Sequence, residues 1–147
     1  MSERSDLEII AALVPPGSRV LDLGCGNGEL LAHLARTRGC SGYGIELDDA
    51  NVHAALRQGI DVIQLDLEEG LALFDDRSFD VVLQLQTLQH LRNAERMLRE
   101  TARVGRAGIV TFPNFAYWRN RLSVLRGRMP VTPAMPFDWY DTPNIRV

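Results

Sequence analysis

The 147-residue sequence predicts an open, doubly wound α/β fold with a parallel sheet. Two observations carry that prediction. Apolar runs of strand length alternate five times with segments of helical period. The first run leads directly into a turn with glycines at alternate positions, Gly24, Gly26 and Gly28. Strand–helix alternation of this kind forces right-handed crossovers, which place helices on both faces of the sheet.

The elements follow in order. "SRVLDL" (18–23) reads as a buried strand, and Leu30, Leu31, Leu34 and Ala35 recur on one face of the next helix. "GYGIEL" (42–47) is the second strand. Asp48 or Asp49 caps the helix over "ANVHAALRQG", which Gly59 ends. "DVIQLDL" (61–67) is the third strand, and "FDVVLQL" (79–85) is the fourth, after the turn-rich "FDDRS". Ala94, Met97, Leu98 and Thr101 give the apolar face of a further helix, and "AGIVTF" (107–112) is the fifth strand.

Beyond Pro113 the composition changes. Seven of the ten aromatics and five of the seven prolines lie between Phe112 and Pro143, with Arg119, Arg121, Arg126 and Arg128 among them. A helix near 116–126 followed by an irregular stretch is expected there. The chain thus reads as one domain over 1–147, with a ligand-binding core at 1–112 and a lid or docking segment at 113–147.

Composition excludes several chemistries. All sixteen basic residues are arginine, so a Walker-type phosphate lysine and a Schiff-base lysine are both ruled out. A net charge of −3 does not suit broad nucleic-acid binding. The start "MSERSDLEII" lacks a signal-peptide core, and no apolar run approaches the roughly 20 residues of a membrane span. Cys25 and Cys40 form no C-x-x-C pair, and the three histidines do not cluster with them. The expectation is a cytoplasmic protein with reduced thiols, no membrane or nucleic-acid partner and no metal.

The glycine turn identifies the ligand class. A dinucleotide fingerprint needs a third glycine where this chain has Glu29, and it would set Asp22 and Glu29 beside a pyrophosphate. Like charges in a partly desolvated cleft repel, so the turn is a poor phosphate site. S-adenosylmethionine carries no phosphate, but it does carry a sulfonium and an ammonium. The pattern D-x-G-x-G-x-G from Asp22 to Gly28 suits that cation. Glu46, 22 residues after Gly24 and at the end of the second strand, can accept from both ribose hydroxyls. Asp66, near the end of the third, can accept from the adenine amino group, with the Leu67 backbone meeting the ring nitrogen.

These motifs resemble class I S-adenosylmethionine-dependent methyltransferases, whose fold is Rossmann-like. More closely, nearly the whole chain is similar to the MetW family of methionine biosynthesis. The resemblance runs through "PPGSRVLDLGCGNGELL", "GYGIELD", "DVIQLDLEEGL", "SFDVV", "LRETARVGRAGIVTFPNF", "GRMPV" and "WYDTPNI". It implies S-adenosylmethionine or S-adenosylhomocysteine at Asp22, Gly24, Gly26, Glu46 and Asp66, and the cofactor site is expected to take in Cys25, Gly28, Leu47, Leu67 and Gln84 as well. It also implies association with homoserine O-acetyltransferase or O-succinyltransferase. Against the family pattern the chain is expected to be shortened at its C-terminus, without the antiparallel strand pair that follows the fifth strand.

Methyl transfer needs an aligned acceptor and sometimes a base. Acceptor contacts are expected from "QLQTLQHL" (84–91), where Gln86, Gln89 and His90 are polar. No Asn- or Asp-Pro-Pro-aromatic motif occurs, which disfavours methylation of a nucleobase or glutamine amino group. His90 is the sole candidate base, although a lone histidine in such an alternation is more often structural. Two functions stand: a cofactor-binding subunit that supports a homoserine O-acyltransferase, and a methyltransferase acting on a small molecule.

Overall fold

The structure is a computed structural model and describes residues 3–111 together with Leu125. The elements are α1 (Glu3–Leu13), β1 (Arg19–Leu23), α2 (Glu29–Arg38), β2 (Ser41–Glu46), α3 (Asp49–Arg57), β3 (Val62–Gln64), β4 (Phe79–Gln84), α4 (Ala94–Val104) and β5 (Gly105–Val110). Short 3-10 turns cover Leu67–Glu69 and Leu88–His90. The sheet is parallel throughout, in the order β3-β2-β1-β4-β5. No antiparallel strand occurs among the described residues. The segment 113–147, apart from Leu125, lies outside them, and so do the expected helix near 116–126 and the lid or docking role.

Each strand sends alternate side chains to two cores. Leu21, Leu23, Ile45, Phe79 and Val82 pack under α4 with Met97 and Val104. Val20, Val81 and Leu83 pack on the other face against Leu30, Leu31 and Leu34 of α2 and Ala11 of α1. Both faces are therefore covered, as continuous apolar strands require.

Three details depart from the sequence reading. The third strand is only three residues long, because the Asp66 carboxylate accepts from the Glu68 N–H and starts a 3-10 turn instead. Ala35 and Leu98 are exposed, so the buried faces of their helices are Leu30–Leu31–Leu34 and Met97–Thr101–Val104. The reading also overlooked α1, although Leu7, Ile10, Ala11 and Val14 carry a helical repeat. Asp48 is the cap of α3, accepting from the Asn51 N–H at 3.0 Å.

One arginine fastens the long β3–β4 connection to α4. The Arg103 guanidinium donates to the carbonyls of Leu71 and Phe74 and to Glu100 and Asp76, each at 2.9 Å. Its hydrogen bond holds the Glu100 carboxyl below the usual carboxylate range. Arg103→Leu removes donors from two carbonyls, so a loss of about 1–3 kcal/mol in urea unfolding is expected. An unchanged midpoint would show that water replaces the guanidinium at no cost.

Candidate functional site

The carboxyl ends of β1, β2 and β4 and the turn after β3 frame one cleft of about 710 Å³. Its lining includes Gly24, Glu46, Leu47, Asp66, Leu67, Glu68, Thr87, His90, Leu91 and Arg92. Ligands of open α/β sheets bind in this position, outside the strand ends where the topology reverses.

The glycine turn is shaped by its neighbours. Gly24 has φ +79°, and a Cβ there would lie 2.8 Å from the Thr87 hydroxyl oxygen. That hydroxyl is within 2.9 Å of both the Leu23 and Leu85 carbonyls and ties the β4 loop to the end of β1. Gly28, also at φ +79°, starts α2 where a Cβ would meet Ala55 at 2.9 Å. Glycine at both positions keeps the turn low and lets a ligand approach the backbone.

Glu46 organises the turn electrostatically. One carboxylate oxygen accepts from the Gly26 N–H at 2.8 Å, and the other accepts from Leu47 and Asp48 N–H at 2.9 and 3.0 Å. A carboxylate offers about four acceptor sites, so three are occupied and one is left in this conformation. Accepting from two ribose hydroxyls, as the sequence reading had it, requires one of these backbone donors to give way.

Asp22 is 4% exposed on β1, and among the described residues no donor reaches its carboxylate. Burial, and then the like charge of Glu46, push its carboxyl up to about 7. The Cys25 thiol packs against Gly44 and is pushed up to about 12 by burial and by Asp22 and Glu46. Such a thiol is a packing group and not a nucleophile.

The adenine-side wall is formed by the turn after β3. One Asp66 oxygen caps that turn and the other has no protein donor among the described residues. Leu67 is buried, at 8% exposure, and among the described residues its N–H meets no acceptor. A free carboxylate oxygen therefore sits one residue from a free backbone donor. Leu47, 58% exposed, offers an apolar surface along the same cleft.

The structure thus brings Gly24, Glu46, Leu47, Asp66, Leu67 and His90 to one cleft, with Asp22, Cys25, Gly26 and Gly28 shaping the turn at its edge. Gln84 departs from the expectation. Its side chain is fully buried toward α4, where the Thr101 hydroxyl donates to it at 3.4 Å, so it does not line the cleft. Thr87, within the expected 84–91 loop but not singled out there, lines it, as do Glu68 and Arg92. Thr87 carried a signal, since it follows the fourth strand where an acceptor loop is expected; the other two carried none. Gln86 takes a left-handed φ of +52°, held by its N–H donating to the Thr111 hydroxyl at 2.9 Å, while the Thr111 N–H donates to the Gln84 carbonyl.

Comparison with known proteins agrees with this architecture. The family model for methionine biosynthesis protein MetW matches residues 4–147. The chain is 44% identical over 151 aligned residues to the bifunctional methionine biosynthesis protein MetXA/MetW of Rhodopirellula baltica, covering 96% of this chain and 24% of that protein. It is 36% identical to the ubiquinone biosynthesis O-methyltransferase of Hahella chejuensis, over 66% of this chain and 42% of that one. The chain therefore spans less than half the length of these relatives. A crystal structure of an S-adenosylmethionine-dependent methyltransferase from Thermotoga maritima superposes with TM-score 0.68 at 24% identity, over 84% of this chain and 57% of the other. With its parallel sheet and glycine turn on the Rossmann-like class I methyltransferase fold, the chain belongs to the MetW family of methionine biosynthesis proteins.

Proposed function

We propose that this chain binds S-adenosylmethionine in the cleft above β1 and β2 and acts in methionine biosynthesis as a cofactor-binding subunit that supports a homoserine O-acyltransferase. The observation that carries the cofactor is the pair formed by the Asp66 oxygen and the Leu67 N–H, neither of which has a partner among the described residues. The adenine edge presents an amino donor beside a ring-nitrogen acceptor, the complement of that pair. Glu46 supplies an acceptor for ribose, and Asp22 supplies a carboxylate for the cationic methionyl part. The bound cofactor would supply an activated methyl group; the chain's own residues bind, orient and balance charge.

The partner reading is supported by the MetXA/MetW relative, whose name joins two functions in one polypeptide. Trp118 and Trp139, in the aromatic segment, are the residues proposed to carry docking. A second reading, methyl transfer to a small polar acceptor, is favoured by the strained Gln86 and by His90 in the cleft lining. Calorimetric titration with S-adenosylmethionine and S-adenosylhomocysteine tests the cofactor. Binding of neither would sink the proposal. Loss of acyltransferase activation in Trp118→Ala or Trp139→Ala, with cofactor binding intact, would favour docking. Methyl incorporation into a metabolite would favour the enzyme.

A further inference from the structure

The turn that reads adenine has little support from the sheet beneath it. β3 is an edge strand of three residues, and its last link to β2 is the Leu65 N–H donating to the Glu46 carbonyl. Asp66 and Leu67 lie beyond that link. The Leu67 side chain is buried in the core beneath, and the hydrogen bonds that fix the turn's backbone come from the opposite wall of the cleft. The Glu68 carboxylate accepts from the Arg92 N–H, just ahead of α4. The Arg96 guanidinium, on the first turn of α4, donates to the Glu68 and Glu69 carbonyls at 3.4 and 3.2 Å. Gly70 lies so close that a Cβ would stand 2.9 Å from an Arg96 nitrogen. Asn93 in turn caps α4 by accepting from the Arg96 N–H, so the anchor itself is fixed.

Neither Arg96 nor the Glu68–Arg92 link is needed to build the sheet. They reach from α4 and the residue just ahead of its cap to the turn that carries the Asp66 oxygen and the Leu67 N–H. We propose that Glu68 and Arg96 are positioning residues for base recognition: by fastening the 67–69 turn to α4, they set the Asp66 oxygen and the Leu67 N–H at the spacing that distinguishes adenine from other purines. The inference rests on the adenosyl-cofactor reading above and adds the residues that give the site its base selectivity.

Hypoxanthine presents an oxygen acceptor and a ring N–H donor where adenine presents the reverse, so it reports on the register of the turn. The test is titration of the full chain with S-adenosylhomocysteine and S-inosylhomocysteine. The wild type is expected to prefer the adenosyl ligand by about 100-fold or more, as sites built from paired polar groups do. In Arg96→Ala and Glu68→Ala that preference is expected to fall below about tenfold, since a misplaced turn leaves its polar groups mismatched to either base. Glu68→Gln keeps an acceptor for the Arg92 N–H and should retain the preference.

A purely structural role would lower the melting temperature and leave the ratio unchanged. If both alanine variants keep the wild-type ratio, the positioning role is wrong while the cofactor reading stands. If the wild type binds neither compound, the cofactor reading falls and takes this inference with it. Glu68→Ala alone is decisive should Arg96→Ala not fold.

Discussion

Asp22→Asn is expected to abolish the pH dependence of cofactor binding, weaken that binding, and stabilise the free protein. The Asp22 carboxyl is buried, meets no donor among the described residues, and sits at about 7 because of burial and Glu46. A cationic ligand takes it up as carboxylate, so binding below pH 7 must release a proton. Affinity of the wild type should then rise nearly tenfold per unit between about pH 5.5 and 7 and level off above. The variant should show a flat profile and an affinity lower by about 30- to 1000-fold at pH 7.5, the equivalent of roughly 2–4 kcal/mol for a buried charge pair.

The stability effect has the opposite sign. A carboxyl whose folded pKa exceeds its unfolded value of about 3.9 adds stability that is complete below pH 4 and lost as the pH climbs to 7. At pH 8 the wild type holds an uncompensated buried charge, and Asn does not. Unfolding of the free proteins at pH 8 should favour the variant by something on the order of 2–4 kcal/mol, with the gap closing toward pH 4. Equal stabilities at both pH values would mean that the carboxylate is already compensated in the free protein.

Glu46→Ala is expected to weaken ligand binding on a similar scale. It removes the acceptor proposed for ribose and at the same time releases the Gly26, Leu47 and Asp48 N–H groups. Hydrogen bonds to a charged acceptor are worth about 1.5–3 kcal/mol each, so losing one to the ligand and the order of the turn should reduce affinity by at least about 100-fold. A further consequence separates this variant from a general loss of structure. Glu46 is the second cause of the raised Asp22 pKa. Glu46→Gln should therefore lower the Asp22 midpoint, read by carboxyl NMR titration, while leaving burial in place. An unmoved midpoint would assign the whole shift to desolvation.

How much of this was legible in advance follows from the kind of force involved. The sheet was readable because β1 and β4 are apolar runs, with the glycine turn closing the first of them, and burial follows such patterns. Asp22, Glu46 and Asp66 were readable because sequence spacing sets each at the carboxyl end of its strand or just beyond. Gln84 was not, since the face that a strand-end side chain takes depends on pairing register, here Gln84 against Val110, with Thr101 above it. The shortness of β3 also escaped, because a local cap at Asp66 outcompeted a strand pattern that looks continuous on paper. Glu68 and Arg96 act across 28 residues of chain, a distance over which no periodicity reports.

The two hydrogen bonds at Thr111 make a mechanical connection. The Thr111 hydroxyl holds Gln86 in its left-handed turn, and the Thr111 N–H holds the Gln84 carbonyl. Tension on the backbone leaving β5 is borne first by these bonds and so reaches the loop between β4 and α4. One residue further along that loop, Thr87 rests against Gly24. A load arriving at Thr111 would thus reach the glycine turn through two side chains, those of Thr111 and Thr87, and through the backbone at the end of β4.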